Sequence, residues 1–324
     1  MDVPAQSPKI HGLCVVKNEQ DIIEPFVRHN LKFLNSLAVL DNGSVDATKH
    51  ILKQLSREFN NLFVAHDDRF GHTQSDRMTR MFREARSASP SDYVMALDGD
   101  EFISVAEGSE VGKVFQQIPA GGCGLVPWRT FVLTPGAVSM SDADPPRSLQ
   151  WRRCEESPVF YKVILPSDGQ FDYDLIIPIG NHVAVSASGR EVPSVHLDNL
   201  SLMHFPVRSR DQFIAKTVVG WMAHLSRDPK ARESEASWHR RGHFDRIADG
   251  LVIDDETLCE ISFLYAQTLR PIDWQSDVVR EDPQFDYVRR YSTGRALGSV
   301  ELIARSWEQS ILGRSPRPSL NEVE

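Results

Sequence analysis

The sequence predicts an α/β protein in which a mostly parallel, Rossmann-like sheet is flanked by helices and followed by a helical C-terminal extension. Two observations carry this. Short apolar runs alternate with stretches whose apolar residues recur at helical spacing, the pattern of strands joined by crossover helices. Each of the first four runs also stops at a polar cluster, as strands do when they deliver ligand-binding residues to one edge of a parallel sheet.

Ile10 to Val16 is the first strand and ends at Lys17-Asn18-Glu19, after which Ile22, Ile23, Phe26, Val27, Leu31 and Leu34 mark an amphipathic helix. Leu37 to Leu40 is the second strand. It breaks at Asp41-Asn42-Gly43-Ser44-Val45-Asp46, a run of turn formers, and Ile51, Leu52 and Leu55 line the helix beyond it. Leu62 to Ala65 repeats the pattern and gives way to His66-Asp67-Asp68-Arg69. Thr73-Gln74-Ser75-Asp76 reads as a capped helix start, with Met78, Phe82 and Ala85 on the buried stripe. The fourth strand, Tyr93 to Leu97, runs into Asp98-Gly99-Asp100-Glu101. The polar pairs before the later strands, Asn35-Ser36, Asn60-Asn61 and Ser91-Asp92, hold a single carboxylate among them. Acidic charge therefore collects at one edge of the predicted sheet, the edge where open sheets bind ligands.

Asp98, Asp100 and Glu101 are too close together to stand as unpaired anions, so a cation or buried donors must neutralise them. Oxygen ligands of this kind suit Mg²⁺ or Mn²⁺ shared with substrate phosphates. While the strand lasts, Asp98 and Asp100 point to the same side, and Gly99 lets a ligand approach the backbone between them. An isolated Asp-Gly-Asp is as readily a solvated turn. The four clusters in order favour a binding edge.

Further along, Ser109 to Ile118 reads as a short helix, and Gly121 to Gly124 as a connection into a strand at Leu125 to Trp128. Thr134 to Pro146, rich in Pro, Gly, Ser and Asp, is predicted to be a mobile loop. Phe160 to Ile164 and Leu175 to Ile179 are expected strands, and so is Leu200 to Phe205. Ser209 with Gln212 fits a capping box for a helix whose inward face carries Phe213, Thr217, Trp221, Met222 and Leu225. Arg208, Arg210 and Lys216 gather near that helix start, where free N–H groups already favour an anion. His204 sits at the strand end and could complete a metal shell begun by Asp100. Asp228 to Gly250 is polar and reads as a solvated excursion, Glu256 to Arg270 as an amphipathic helix, and residues 313–324 as a disordered tail.

The 324 residues are 41% hydrophobic and 25% charged, within the range of a soluble globular protein. The formal net charge of −9 argues against nucleic-acid binding by bulk electrostatics. Cys14, Cys123, Cys154 and Cys259 form no CxxC pair, which fits reduced thiols. No signal pattern or membrane-length apolar run is present, so a cytoplasmic location is predicted, with peripheral attachment to the inner face of the membrane left open.

Val16-Lys17-Asn18-Glu19, Leu40-Asp41-Asn42-Gly43-Ser44-Val45-Asp46-Ala47-Thr48 and Leu97-Asp98-Gly99-Asp100-Glu101-Phe102 resemble, in that order, the signatures of family 2 glycosyltransferases with the GT-A fold. The wording is similar to the bacterial subgroup close to family 92, and His204-Phe205-Pro206-Val207-Arg208-Ser209 with Gln212 and Lys216 resembles a later motif of that subgroup. The resemblance implies a GT-A domain over residues 1–225, with a nucleotide-sugar half near 8–105 and an acceptor half near 120–225. Residues 226–312 would form a helical extension.

It further implies a nucleotide-diphosphate sugar as donor, a glycan or lipid-linked acceptor and Mn²⁺ or Mg²⁺. The product would belong to cell-surface polysaccharide or glycolipid synthesis. Asn18, Glu19, Asp41, Asn42, Asp68, Arg77, Asp98 and Arg208 would contact the nucleotide sugar. Asp98, Asp100 and His204 would hold the metal, and Lys216 would act on the leaving diphosphate. An inverting reaction also needs a carboxylate base. Asp172, Asp174 and Asp198 are candidates, and Asp174 is preferred because it adjoins an apolar strand. Asp41-Asn42 departs from the more frequent paired aspartates, which leaves the donor's base open. Two other readings are a haloacid dehalogenase type phosphatase, whose motif wants Thr or Val at the place of Phe102, and a non-catalytic nucleotide-sugar-binding protein of the same fold.

Overall fold

The computed structural model describes residues 8–67, 74–88, 92–119, 121–136, 144–167, 175–227, 238–291 and 298–312. The first half follows the expected alternation: β1 (Ile10–Val16), α1 (Ile23–Asn30), β2 (Ser36–Asp41), α2 (Thr48–Glu58), β3 (Leu62–His66), α3 (Gln74–Ala88) and β4 (Tyr93–Leu97). β1 pairs in parallel with β2 and β4, and β2 with β3, so the four strands end at the same edge.

After the turn at 98–100, β5 (Glu101–Val105) leaves its neighbour and crosses to the far side of the sheet. There follow α4 (Val111–Phe115), β6 (Cys123–Thr130), α5 (Pro145–Ser148), β7 (Trp151–Arg153), β8 (Tyr161–Pro166), β9 (Ser194–His196) and β10 (Leu200–His204). The chain closes with α6 (Arg210–Arg227), α7 (Trp238–Ala248), α8 (Asp255–Leu264), β11 (Val278–Arg280) and α9 (Ser299–Leu312).

The sheet of nine strands runs β3-β2-β1-β4-β8-β6-β10-β5, with β9 also on β6. The mixing comes from β8, antiparallel to both β4 and β6, and from β5, antiparallel to β10. The register of that last pair sets the last residue of one strand, His204, opposite the first of the other, Glu101. Because β4 lies mid-sheet and β5 at the edge, residues 98–100 bridge the two halves of the sheet.

The central strands β1, β4, β6 and β8 are buried on both faces, as a sheet covered by helices requires. From β4, Met95 and Leu97 join a cluster with Phe26, Ile51 and Phe102, while Val94 and Ala96 join Met78 and Phe82 of α3. Ile253, Leu258, Cys259 and Ile261 belong to the first of these clusters, so residues of the α8 region share the core of the sheet. No helix is long and apolar enough to cross a membrane among the described residues.

Several expectations are corrected. Leu175 to Ile179 is not a strand: it makes one isolated bridge, Ile176 with Val185, because Pro178 lacks an N–H and Gly180 turns the chain with φ 89°. The polar stretch from Asp228 to Gly250 contains α7, whose apolar residues lack a consistent helical face. The helix expected over Glu256 to Arg270 ends at Leu264, where Tyr265 leaves the helical region. The helix expected over Ser109 to Ile118 is confined to Val111–Phe115. α1 is buried all round rather than on one face, since the backbone N–H groups of Arg290 and Tyr291 bond Glu24 at 2.7 and 2.9 Å. The N-cap expected at Thr73 and the centre of the Thr134–Pro146 loop lie outside the described residues.

Candidate active site

The site is assembled from the ends of β1, β2, β4 and β10 and the start of α6. Its floor is two loops bonded to each other. Asn18 adopts φ 59°, a left-handed conformation that Asn tolerates better than most residues, and so turns the chain out of β1. Its N–H donates to Ser44 Oγ at 2.9 Å and its Oδ1 accepts from Val45 N at 2.9 Å. The next residues continue the join: Glu19 N donates to Thr48 Oγ1 at 2.8 Å, and Gln20 N to Asp46 at 3.1 Å. Asp41 is fully buried within this floor, its carboxylate near the N–H of Ser44 at 3.3 Å and His66 Nδ1 at 3.3 Å. Asn42 is half-buried and donates its N–H to Val16 O.

The turn after β4 is packed tightly onto β1, since a Cβ on Gly99 would lie 3.0 Å from Val16 Cγ1. Its three carboxylates have separate surroundings. Glu101 is fully buried; it accepts from Asp98 N at 2.8 Å and Trp128 Nε1 at 2.6 Å, with Lys162 Nζ 3.3 Å away. Burial, against the pull of Lys162, pushes its carboxyl up to about 8. Asp98 accepts from Lys162 Nζ, from Gln74 Nε2 at 2.8 Å and from Asn181 Nδ2 at 3.3 Å. Lys162 is wholly buried, also donates to Gly180 O at 2.7 Å, and is kept charged by Asp98 and Glu101 although burial opposes it.

Asp100 faces the other way, toward α6. Its Oδ2 accepts from Lys216 Nζ at 2.9 Å, with Arg208 Nη1 at 3.7 Å, and its Oδ1 lies 3.9 Å from His204 Nε2. Burial alone would raise the Asp100 carboxyl; Lys216 and Arg208 reverse that and hold it well below the usual carboxylate range. His204 is buried, stacks on Trp128 at 4.0 Å, and burial keeps its imidazole neutral far below its ordinary value. Neutral imidazole is the ligand form.

Arg208 is a buried strut between the two sequence regions. Its Nε and Nη2 bond Asp21 at 2.6 and 3.0 Å, Nη2 also bonds Glu19, and Nη1 donates to Phe205 O at 3.1 Å. Burial raises Glu19 to about 7 despite Arg208. The α6 start is capped by Ser209 Oγ, which accepts from Gln212 N at 3.2 Å, while Gln212 Oε1 reaches past Ser209 to Arg208 N.

Thus Asn18, Glu19, Asp41, Asn42, Asp98, Asp100, His204, Arg208 and Lys216 share one edge of the sheet. Arg77 lies on α3, buried, with Nε 3.3 Å from Asp67. Asp68 and Asp174 lie outside the described residues. Sequence reasoning missed Asp21, Gln74, Lys162 and Asn181. Lys162 had a visible mark, a lysine inside an apolar strand.

No group of three or more His, Cys, Asp or Glu that could hold a metal occurs among the described residues. Asp98 is committed to Lys162, and Asp100 with His204 forms a two-donor pair. Such a pair fits Mg²⁺ or Mn²⁺ that draws its remaining ligands from phosphate and water, as these ions commonly do.

No protein-family model matches the chain, and no curated protein does. Among solved structures, residues 1–349 of TarS from S. aureus are 13% identical with a TM-score of 0.39, over 80% of each chain. The mannosyltransferase PcManGT from Pyrobaculum calidifontis, in complex with GDP-Man and Mn²⁺, is 13% identical over 69% of this chain and 64% of its own, with a TM-score of 0.36. GalNAc-T7 with UDP, GalNAc and Mn²⁺ is 13% identical over 64% of this chain and 45% of its own, at 0.39. These likenesses are distant, and the functional reading rests on the residues of the site.

Proposed function

We propose that this protein is a glycosyltransferase of the GT-A type that moves a sugar from a nucleotide-diphosphate sugar to an acceptor hydroxyl, with inversion and with a divalent cation. Its motifs resemble those of family 2, in wording similar to the subgroup close to family 92. The observation that carries the reading is the convergence of separate sequence motifs: Arg208 and Lys216, from the motif that begins at His204, close on Glu19 of the first motif, on Asp21 just after it, and on Asp100 of the acidic motif after β4. Surface turns would have no need of a buried arginine joining segments 187 residues apart.

In this reading Asp41 and Asn42, with Asn18, line the place of the donor's base and ribose, Arg77 beside Asp67 stands further along the same edge, and Asp68 is proposed as a further contact to the nucleotide sugar. Asp100 and His204 would hold Mg²⁺ or Mn²⁺, which when bound supplies positive charge to the diphosphate as it departs. The acceptor oxygen bonds to the anomeric carbon as the bond from that carbon to phosphate oxygen breaks. The electron pair leaves on the nucleoside diphosphate, and the acceptor proton passes to a carboxylate base, for which Asp174 is proposed. Lys216, at the mouth of the site, offers an ammonium to the departing charge. Glu19 and Asp98 act by shape: one braces Arg208, the other fixes Lys162, Gln74 and Asn181. The acceptor is a glycan or lipid-linked saccharide of the cell surface.

A thermal-shift panel of UDP, GDP, CDP and dTDP, each with and without Mn²⁺, tests the proposal. One of the four should raise the melting temperature with Mn²⁺ present, since a ligand at a hundred times its dissociation constant adds about 2.7 kcal/mol of apparent stability. Four flat responses would remove the nucleotide site.

A further inference from the structure

Lys216 and Asp100 form an asymmetric pair. The lysine side chain is 42% exposed and the aspartate side chain 6%, so the ammonium caps a carboxylate that is otherwise closed to water. Among the described residues, the other cation beside the Asp100 carboxylate, Arg208, is wholly buried and tied to Asp21, Glu19 and Phe205 O. Lys216 alone of these cations reaches the cluster from the solvent side on a flexible stem.

We propose that Lys216 is the placeholder cation of Asp100. In the ligand-free protein its ammonium takes the carboxylate oxygen that a divalent cation would use. It leaves when the cation arrives together with a diphosphate, which gives the ammonium a new anionic partner a short swing away. Free Mn²⁺ is thereby excluded, and the metal enters with the nucleotide. One lysine then serves twice: it protects the empty site, and it joins the metal on the leaving group. This inference rests on the reading of Asp100 as the metal-side carboxylate.

The test is calorimetric titration of Mn²⁺ into the wild-type protein and into Lys216→Met, Lys216→Arg and Asp100→Asn, each alone and with inorganic pyrophosphate. Lys216→Met should bind Mn²⁺ alone at least tenfold more tightly than wild type and should lose affinity for pyrophosphate. Lys216→Arg should restore weak binding of Mn²⁺ alone. If Lys216→Met gains no Mn²⁺ affinity while Asp100→Asn abolishes Mn²⁺ binding with pyrophosphate, the placeholder is overturned and the metal site stands. If Asp100→Asn binds Mn²⁺ as wild type does, or none of the proteins binds it, the reading of the site itself falls.

Discussion

Asp98 and Asp100 are separated by a single glycine, yet the protein treats them oppositely. Asp98 is held by three side chains: a wholly buried lysine on β8, a glutamine on the first turn of α3 and an asparagine from the Gly180 turn. Asp100 is bonded by a lysine that is 42% exposed, with the buried Arg208 and a neutral histidine further off at 3.7 and 3.9 Å. The first carboxylate ties three segments together, and the second is available for exchange. An Asp-x-Asp motif is therefore not two equivalent ligands; which one does chemistry depends on what neutralises each in the empty state.

The largest effect should come from the fixed side. Lys162→Met leaves Asp98 and Glu101 facing each other without their shared cation, and breaking a buried pair of this kind costs about 3–5 kcal/mol. Urea denaturation should register that loss; a change below about 1 kcal/mol would mean that Asp98 is solvated after all. Next is Asn18→Ala, which forfeits the bond to Val45 N and forces a Cβ residue into a left-handed turn, at about 2 kcal/mol together. Asn18→Gly keeps the turn and should recover part of the loss, and if both variants cost the same, the side-chain bond alone matters.

Acidity offers a third handle. Glu19 and Glu101 have folded values near 7 and 8, above their ordinary 4.5, so the folded protein holds protons that the unfolded chain has released. His11, His29, His182 and His204 are shifted down and act in the opposite sense, an effect that fades above their ordinary 6.5. Between pH 7 and 8.5 the glutamates dominate, and stability should fall as pH rises, by about 1 kcal/mol. Denaturation midpoints that rise over that window would contradict these surroundings for Glu19 and Glu101. Smallest is Asp100→Asn, expected to change stability by less than about 1 kcal/mol, because Lys216 can return to solvent and Arg208 keeps Asp21 and Glu19.

How much of this was legible beforehand follows from the distance over which each contact acts. β1 to β4 and the polar ends at Asn18, Asp41 and Asp98 announce themselves through local periodicity and turn chemistry. So does the start of α6, because Ser209 and Gln212 lie within one helical turn. Lys162, Asn181 and Asp21 act across 64, 83 and 187 residues, to Asp98, Asp98 and Arg208 respectively, and no local pattern encodes such partners. The burial of α1 was hidden for the same reason, since Glu24 finds its donors at Arg290 and Tyr291. Leu175 to Ile179 misled because an apolar run signals burial, which Leu175 and Ile177 do attain, without signalling a strand.

The account comes down to whether the exchangeable aspartate is the one that serves a nucleotide sugar. Release of nucleoside diphosphate from UDP-, GDP-, CDP- and dTDP-sugars with Mn²⁺ measures this directly in the wild type and in Asp100→Asn. The wild type should release it from at least one donor, and Asp100→Asn should lose that activity at least a hundredfold while melting within a few degrees of the wild type. Equal rates of release from both proteins would contradict it.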